Sequence, residues 1–228
     1  MDQALLEEYL RKYPSGHFAE LAQLELDRLL AQQGEKKVAI AAQEGNPYTK
    51  GSAEFDVNYK LGDTYKFQRL DLYTKLVLGT GDQTVEKVTD SDVVFSGGLI
   101  TDLLGNVKRF PDGRLLSANQ NVPTEFAIGK AWTTRFHGKN ASGQEAMFEF
   151  DYRVTARESI TVPAGTFNAF RIDGRGYAGT PQGPLHQENR QWYDPQRVRM
   201  PVLRETTRRA GRRVIDAVRI ELVSFKQG

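Results

Sequence analysis

A run of arginines near the C-terminal end is the part of this sequence best suited to binding chemistry. Eight arginines and only two acidic residues lie between Gln196 and Arg219, whereas the whole chain has a net charge of +2. A guanidinium group pairs bidentately with carboxylates and phosphates. We therefore expect this segment to bind a protein partner or a small ligand that carries an anionic group.

Four of these arginines flank Ala210-Gly211, which we interpret as the tip of a β-hairpin. The predicted binding residues of the segment are Arg204, Arg208, Arg209, Arg212 and Arg213. The alternative is a solvated strand edge whose charges deter aggregation between sheets. A nucleic-acid partner is not expected, because aromatic residues do not alternate with the arginines and the net charge is close to zero.

The sequence Trp192-Tyr193-Asp194-Pro195 forms a second candidate site, at the end of a predicted strand. Trp and Tyr combine a large apolar surface with a polar tip, which makes them common in ligand sites. The alternative is that both rings belong to the core of the domain. A small apolar ligand is the partner that this pair would suit.

Several kinds of active site are excluded or not expected. The chain has no cysteine, which excludes disulfides, thiolate metal sites and cysteine nucleophiles. The three histidines lie far apart in the sequence, and the pair His186 and Glu188 offers too few ligands for a metal. No serine lies in a G-x-S-x-G motif. We predict no catalytic residue, no metal and no cofactor, and a protein that is not an enzyme.

One stretch, Gly174 to Gly179, matches the dinucleotide-binding fingerprint G-x-G-x-x-G by letter. That fingerprint functions where the loop opens a helix whose N-terminal amides hold a pyrophosphate. The residues that follow, Thr180-Pro181-Gln182-Gly183-Pro184, cannot form a helix. We interpret the glycines as the glycine-rich end of a β-strand.

Helical periodicity is confined to the first 34 residues. Apolar residues recur at helical spacing from Leu5 to Tyr13 and from Phe18 to Leu30, and Pro14-Ser15-Gly16 separates the two stretches. The pattern predicts an αα-hairpin over residues 1–34 and a linker over residues 35–52. A single hairpin cannot bury its own apolar face, so it must pack on the β domain, on another chain or on further repeats.

Residues 53–228 have the alternating pattern of an antiparallel β domain. The clearest strand, residues 146–156, alternates four apolar residues with charged or polar ones. Shorter stretches at residues 132–136 and 218–222 have the same pattern. The fold predicted from these strands is mainly β: an antiparallel curved sheet, a sandwich or a half-barrel, preceded by the αα-hairpin.

Turn signals separate the predicted strands. Val162-Pro163-Ala164-Gly165 suits a type I turn, and residues 79–82, 111–113, 140–143 and 210–211 are also interpreted as turns. Leu61-Gly62-Asp63-Thr64-Tyr65 is similar to Ile128-Gly129-Lys130-Ala131-Trp132, since in both a glycine precedes a strand that opens with an aromatic residue. A duplicated half-domain and a coincidence both remain open as explanations.

Five pieces of sequence occur in an order that resembles a known bacterial group. They are Leu61-Gly62-Asp63-Thr64-Tyr65, Ile128-Gly129-Lys130-Ala131-Trp132, Val162-Pro163-Ala164-Gly165-Thr166-Phe167, Trp192-Tyr193-Asp194-Pro195 and Pro201-Val202-Leu203-Arg204-Glu205. Over residues 53–225 the chain resembles the TapB-like group of exported β domains. The resemblance implies a curved antiparallel sheet akin to the lipoprotein-carrier fold, and a ligand-binding or adaptor module in the envelope. It implies no catalytic residues.

The N-terminal region has a resemblance of its own. Leu6-Glu7-Glu8-Tyr9-Leu10-Arg11-Lys12-Tyr13-Pro14, followed by His17-Phe18-Ala19-Glu20-Leu21-Ala22, resembles the tetratricopeptide-like hairpins that follow caspase-like peptidase domains in some bacterial proteins. This resemblance implies an accessory position next to a larger protein.

Together these patterns predict a non-enzymatic binding or adaptor module of the bacterial envelope. The alternatives are a substrate-recognition or regulatory domain of a caspase-like peptidase, and a lipid or lipoprotein carrier. The start of the chain lacks the pattern of a signal peptide, and no apolar run is long enough to span a bilayer. We expect a piece of a longer exported protein, located in the periplasm or envelope.

Overall fold

The computed structural model describes residues 3–13, 19, 21–23, 25–26, 52–139, 143–180 and 183–228. It contains the helix α1 (Gln3–Lys12) and a short 3-10 turn at Ser96–Gly98. The strands are β1 (Ala53–Glu54), β2 (Thr64–Asp71), β3 (Val77–Val88), β4 (Val93–Phe95), β5 (Ile100–Thr101), β6 (Val107–Arg109), β7 (Glu125–Phe126), β8 (Ala131–Lys139), β9 (Glu145–Val162), β10 (Gly165–Thr180), β11 (Gly183–Tyr193), β12 (Leu203–Ala210) and β13 (Arg213–Lys226).

Eleven strands form one antiparallel sheet in the order β6-β5-β4-β3-β2-β13-β12-β11-β10-β9-β8, and β1 pairs with β7. The last strand, β13, pairs with β2, so the two ends of the β domain meet inside the sheet. The outer strands β6 and β8 do not pair with each other, so the sheet is not closed within the described part of the chain. The prediction of a mainly β, antiparallel fold is confirmed.

The predicted αα-hairpin is not supported. Helix α1 has ten residues, and its Leu6 and Leu10 are buried together with Ala19, Ala22 and Leu26. Most of the second predicted helix and nearly all of the predicted linker lie outside the described residues, so the hairpin and the domain boundaries stay predictions. None of the helices in the described ranges is long and apolar enough to cross a membrane.

One of the predicted turns is wrong. Gly79-Thr80-Gly81-Asp82 lies inside β3 and pairs with β2 in extended conformation. The chain turns earlier, where the Asp71 carboxylate accepts hydrogen bonds from the amides of Tyr73 and Thr74. An aspartate that bonds to its own following backbone defines a turn without glycine. The predicted turns between β9 and β10 and between β12 and β13 are confirmed.

The two similar glycine segments have the same backbone geometry. The amide of Gly62 donates to the carbonyl of Val85 on β3, and the amide of Gly129 donates to the carbonyl of Val154 on β9. The residue after each glycine, Asp63 or Lys130, donates its amide to the carbonyl three positions earlier. Its own carbonyl accepts from the amide of Val85 or Val154, the residue to which the glycine also bonds. Both glycines have positive φ, 87° and 92°, a region that favours glycine. The echo in the sequence is therefore a structural repeat.

Two apolar clusters stabilise the sheet. The first lies around β2, β4, β13 and the start of β10, where Tyr65, Phe95 and Phe167 are almost completely buried. The second lies on β8, β9 and β10, where Phe170 and Ile172 have no exposed surface. The predicted alternation of residues 146–156 is confirmed, because the apolar side of β9 packs into the second cluster.

A buried arginine joins the start of the β domain to its end. The Arg199 guanidinium donates to the Asp56 carboxylate at 2.8 Å and to the Asp63 carboxylate at 2.7 Å. Arg199 is 8% exposed and Asp63 is 2% exposed, so this pair is almost completely removed from water. The amides of Lys60 and Gly228 also donate to Asp63. These bonds hold the segment before β2 against the segment between β11 and β12 and against the C-terminal end.

The contact between Asp56 and Arg199 shifts the pKa of both groups. Burial by itself would raise the pKa of Asp56, but hydrogen bonds from the Asn58 amide and the Arg199 guanidinium hold that pKa below its ordinary value of 3.8. Burial would lower the pKa of Arg199, and the hydrogen bond and charge of Asp56 reverse that effect, so its pKa is raised. Because the pKa of Asp56 is lowered by folding, its contribution to stability is present above pH 3.8 and is lost as the pH falls further.

The glycines from Gly174 to Gly179 lie within β10, so their interpretation as part of a strand is confirmed. A Cβ atom on Gly174 would lie 2.2 Å from the ring of Tyr152, and one on Gly176 would lie 2.4 Å from the ring of Phe150. Both rings belong to residues directly opposite on β9. The glycines therefore make room for two buried aromatic rings.

We expect Arg199→Met to lower the free energy of unfolding by about 3–5 kcal/mol, because it leaves the Asp63 carboxylate buried without its counter-charge. Urea denaturation at pH 7 measures the change. The matched control is Arg135→Met, which removes an exposed ion pair with Glu149 and should leave the free energy nearly unchanged. Similar losses in the two variants would contradict the role assigned to Arg199.

Gly174→Ala should lower the free energy of unfolding by about 1–3 kcal/mol, since the added methyl group overlaps the buried ring of Tyr152. Gly179→Ala is the control on the same strand. Its added atom would lie 3.6 Å from the Met147 carbonyl, an ordinary contact, so this variant should be no less stable than the parent. Thermal denaturation of the two variants side by side tests the difference. Equal stability would show that the ring does not require the glycine.

Candidate functional site

A cavity of about 550 Å³ is lined by one face of the sheet and by residues 99–122, the segment that leads from β4 towards β7. The sheet side is formed mainly by β11, β12 and β13. The segment contributes an apolar side, to which Leu99, Leu104, Val107, Phe110 and Val122 belong. The cavity is therefore amphipathic, with a polar sheet face and an apolar cover.

The polar face follows from the alternation of two neighbouring strands. Every second residue of β11 from Gln187 to Tyr193, and every second residue of β12 from Arg204 to Arg208, lines the cavity. Side chains point to alternate faces along a strand, so these residues share one face. The register places the three polar residues of β11 directly opposite the three of β12. The amide, hydroxyl and guanidinium groups of these residues therefore form one continuous polar patch on the cavity wall.

A hydrogen-bond network centred on Asn189 fixes this face. Its Oδ1 accepts from Gln187 Nε2 at 2.9 Å and from Thr206 Oγ1 at 3.2 Å. Its Nδ2 donates to the hydroxyl of Tyr152 at 3.4 Å, and that hydroxyl donates to Asn121 Oδ1 at 3.1 Å. Burial raises the pKa of Tyr152, so its hydroxyl stays protonated as a donor. The network connects the sheet to the covering segment.

The covering segment, residues 99–122, is also held in place by hydrogen bonds to the side-chain amide of its own residue Asn106. Asn106 is 3% exposed, and its Oδ1 accepts from the amides of Asn121 and Val122 at 2.7 and 2.8 Å. The indole of Trp132 on β8 donates to the carbonyl of Gln120 at 2.7 Å. These bonds satisfy the backbone of a segment that has little regular structure. The cavity is therefore a preformed feature of the fold.

The charged groups on the cavity wall are four arginines and one acid: Arg69, Arg199, Arg204, Arg208 and Asp216. Arg199 is neutralised by its two aspartates. Arg69 and Arg208 both lie near Asp216, at 3.5 and 3.3 Å, and Arg208 also donates to Gln187 at 2.9 Å. Arg204 differs from all of these, because its side chain has no hydrogen-bond or ion-pair partner within the described ranges.

Arg204 is also partly buried, and its Nε atom is out of contact with solvent. Burial lowers the pKa of Arg204, and the nearby Tyr193 opposes this effect only in part. Burial in turn raises the pKa of Tyr193 to about 12. A second buried atom without a partner, Gln83 Oε1, belongs to a residue that lines the same cavity. Buried polar atoms without a partner are uncommon, and two of the three in the described residues belong to residues that line this cavity, the third being Arg157 Nε.

The structure separates the predicted aromatic pair. Trp192 is 7% exposed, packs in the first apolar cluster and donates its Nε1 to Glu158 at 2.7 Å. Tyr193 points to the other face of β11, where it lines the cavity and donates to Gln191 Oε1 at 3.0 Å. Trp192 is therefore a core residue, which was the alternative to a ligand-binding role. Tyr193 lies both in the second apolar cluster and at the cavity.

The predicted arginine series is divided among several surroundings. Arg197 lies 4.5 Å from the ring centroid of Phe167, and Arg219 pairs with Glu205 and Glu221. Arg204 and Arg208 line the cavity. Arg209, Arg212 and Arg213 lie at the hairpin between β12 and β13 and have no ion pair in the described part of the chain. The eight arginines therefore do not form one site.

Sequence reasoning missed the amides of β11. Gln187, Asn189 and Gln191 occupy every second position before Tyr193, a spacing that places them on one face of a strand. This spacing can be seen in the sequence. The sequence does not show that residues 99–122 cover this face and make it a cavity. Among the residues that the structure describes, no three His, Asp or Glu side chains are arranged to hold a metal ion.

No protein-family model matches the sequence, and no curated protein is similar to it. A protein of Bacteroides fragilis, described as exported and as having a YmcC-like fold, aligns with 77% of this chain and 100% of its own, with a TM-score of 0.50 at 10% identity. A protein of Parabacteroides distasonis described as a lipoprotein aligns with 76% of this chain and 99% of its own, with a TM-score of 0.48 at 12% identity.

The lipoprotein YmcC from Escherichia coli aligns with 72% of this chain and 84% of its own, with a TM-score of 0.44 at 10% identity. At these identities a likeness concerns the fold alone. The predicted kinship with bacterial exported β domains is thus supported at the level of architecture, while the TapB-like and tetratricopeptide-like resemblances stay predictions. The β domain shares the YmcC-like fold of the Bacteroides protein.

Proposed function

We propose that the β domain is a non-enzymatic binding module and that its ligand occupies the cavity between the sheet and residues 99–122. The observation that carries this proposal is the amphipathic cavity of about 550 Å³, which is held open by the Asn189 and Asn106 hydrogen bonds. Its volume lies in the usual range for small-molecule sites, roughly 300–1,000 Å³. Tyr193, Arg204 and Arg208, three of the residues predicted from the sequence, line this cavity.

The proposed location is the periplasm or envelope. It is supported by the fold shared with a protein described as exported, and by the ordered sequence pieces that resemble the TapB-like group. The alternative of an accessory domain of a caspase-like peptidase depends on the N-terminal resemblance, much of which lies outside the described residues. The alternative of lipid carriage is compatible with the apolar cover of the cavity.

A neutral fluorescent probe, N-phenyl-1-naphthylamine, should bind the protein with increased emission, because the apolar cover removes it from water. Thr206→Trp should abolish this signal, since Thr206 lies in the middle of the polar face and a larger side chain there fills the cavity. The matched control is Thr161→Trp, which places the same side chain at an exposed position of β9 that does not line the cavity. Equal binding in parent and Thr206→Trp would contradict the proposed site.

A second candidate function concerns the hairpin between β12 and β13 as an adaptor surface. The amide of Leu72 donates to the carbonyl of Ala217 at 3.0 Å, so the turn between β2 and β3 lies beside this hairpin. Exposed apolar side chains occur on both: Tyr73, Leu76, Val77, Leu78 and Ile215. Together with Lys75 and the three unpaired arginines, they form a surface that is both apolar and basic. This combination suits an anionic lipid surface.

The triple variant Arg209→Ser, Arg212→Ser, Arg213→Ser should weaken co-sedimentation with vesicles that contain phosphatidylglycerol, and added salt should weaken the binding of the parent. Folding should be retained, because surface changes usually cost within about 0.5 kcal/mol each. A matched control removes three positive charges from β8 and β9, away from the hairpin: Arg135→Ser, Lys139→Ser and Arg153→Ser. Similar losses in both variants would mean that total charge, and not this hairpin, controls binding.

A further inference from the structure

Arg204 presents a guanidinium group that no side chain within the described ranges balances. A guanidinium has five N–H donors in a planar fork and cannot lose its charge in a protein. The other three arginines of the cavity are paired with Asp56, Asp63 or Asp216. Arg69 and Arg208 share the one carboxylate of Asp216, whereas Arg204 has no acidic partner at all among the described residues.

The neighbours of Arg204 explain why no internal acid takes this role. Across the register, Arg204 lies between Gln191 on β11 and Ile220 on β13, and beyond Ile220 the next residue in line is Arg69 on β2. A neutral amide, an aliphatic side chain and a second cation surround it. Gln191 Oε1 is the one side-chain oxygen in this row, and it accepts from the Tyr193 hydroxyl, so no carboxylate in the row balances the guanidinium. Arg204 is half-buried, and an anion bound there would supply the missing counter-charge.

The opposite wall limits what can be attached to the anion. Leu99, Leu104, Val107, Phe110 and Val122 line the cavity from the covering segment, and none of these side chains can form a hydrogen bond. The polar residues of this wall are Thr101 and Asn121, and their side chains already bond to the Asp102 carbonyl and to Asn119 and Tyr152. A highly polar body such as a polyphosphate would therefore lose water against this wall with few replacement partners. An aliphatic or aromatic body would instead bury apolar surface there.

We infer that Arg204 anchors the headgroup of an amphiphilic anion, in which a single carboxylate or phosphate group carries an apolar chain that packs against the covering segment. This inference rests on the proposed function of the cavity and specifies the ligand class. Two oxygens of the headgroup accept from the guanidinium in the bidentate arrangement that arginine forms with both groups. Tyr193 and Gln191 flank the bound headgroup.

Displacement of N-phenyl-1-naphthylamine from the intact chain tests the inference. The competitors are decanoate, monodecyl phosphate and decan-1-ol, which share one chain length and differ in their headgroup, and each is used below its micellar concentration. Hydrogen bonds to charged groups predict that the better of the two anions displaces the probe at a concentration roughly 10- to 100-fold lower than decan-1-ol does. The ratio of decanoate to monodecyl phosphate shows which headgroup the site prefers.

Arg204→Gln should remove the advantage of the anions and leave displacement by decan-1-ol unchanged. The matched control is Arg157→Gln. Arg157 also has a buried Nε without a hydrogen bond, but its guanidinium lies 4.8 Å from the ring centroid of Phe170 and does not line the cavity. This control should keep the full preference for anions. Retention of the preference in Arg204→Gln, or its loss in Arg157→Gln, would overturn the inference.

A second measurement covers the case in which a variant folds poorly. Without any ligand, Arg204→Gln should melt at the same temperature as the parent or higher, because it removes an unpaired cation. A clear drop would mean that the guanidinium is satisfied within the protein, which contradicts the inference. Arg204→Lys keeps the charge but not the planar fork, and it should retain only part of the preference.

The two proposals fail in different ways. If neither the probe nor any decyl compound binds, the cavity is not a ligand site and the proposed function is wrong. If the probe and decan-1-ol bind and the anions have no advantage in the parent, the cavity is a ligand site and only the anionic headgroup is refuted.

Discussion

The ion pair between Arg199 and Asp63 is the interaction on which the arrangement of this domain depends. It joins a residue that precedes β2 to one that precedes β12, although 136 positions separate them in the sequence. The pair holds the segment between β11 and β12 against the start of β2, which is a neighbour of β13 in the sheet. The register of β12 against β11 and β13 decides whether Arg204 faces the cavity or the opposite side. The buried pair thus lies at the margin of the site and holds the backbone from which β12 begins.

The sequence predicted the features that depend on local periodicity. Strand β9 was identified from its alternation, and the hairpin turns after β9 and β12 from their small residues. The turn placed at residues 79–82 was wrong, because glycine permits a turn without requiring one and the Asp71 side chain specifies it elsewhere. The cavity could not be predicted from the sequence, for a different reason. Its two main walls, residues 99–122 and residues 187–220, lie far apart along the chain, and only the pairing of strands shows which arginine lacks a partner.

The repeated glycine turn carries different side chains at its two occurrences. Both turns keep the positive φ of the glycine and the same bonds to the facing strand. The position after the glycine differs, since Asp63 binds Arg199 whereas the corresponding residue of the second turn is Lys130. The two turns therefore share their backbone bonds, and the side chain that follows the glycine determines the long-range contact of the first turn.

Strand β11 separates the first apolar cluster from the cavity. Trp192 packs in that cluster on one face, and Gln187, Asn189 and Gln191 line the cavity on the other. Tyr193 belongs to both the cavity wall and the second cluster. A substitution among the three amides therefore changes the polar lining of the cavity without touching the first apolar cluster. The chemistry of the lining and the packing of that cluster can thus vary independently, because they depend on alternate positions of one strand.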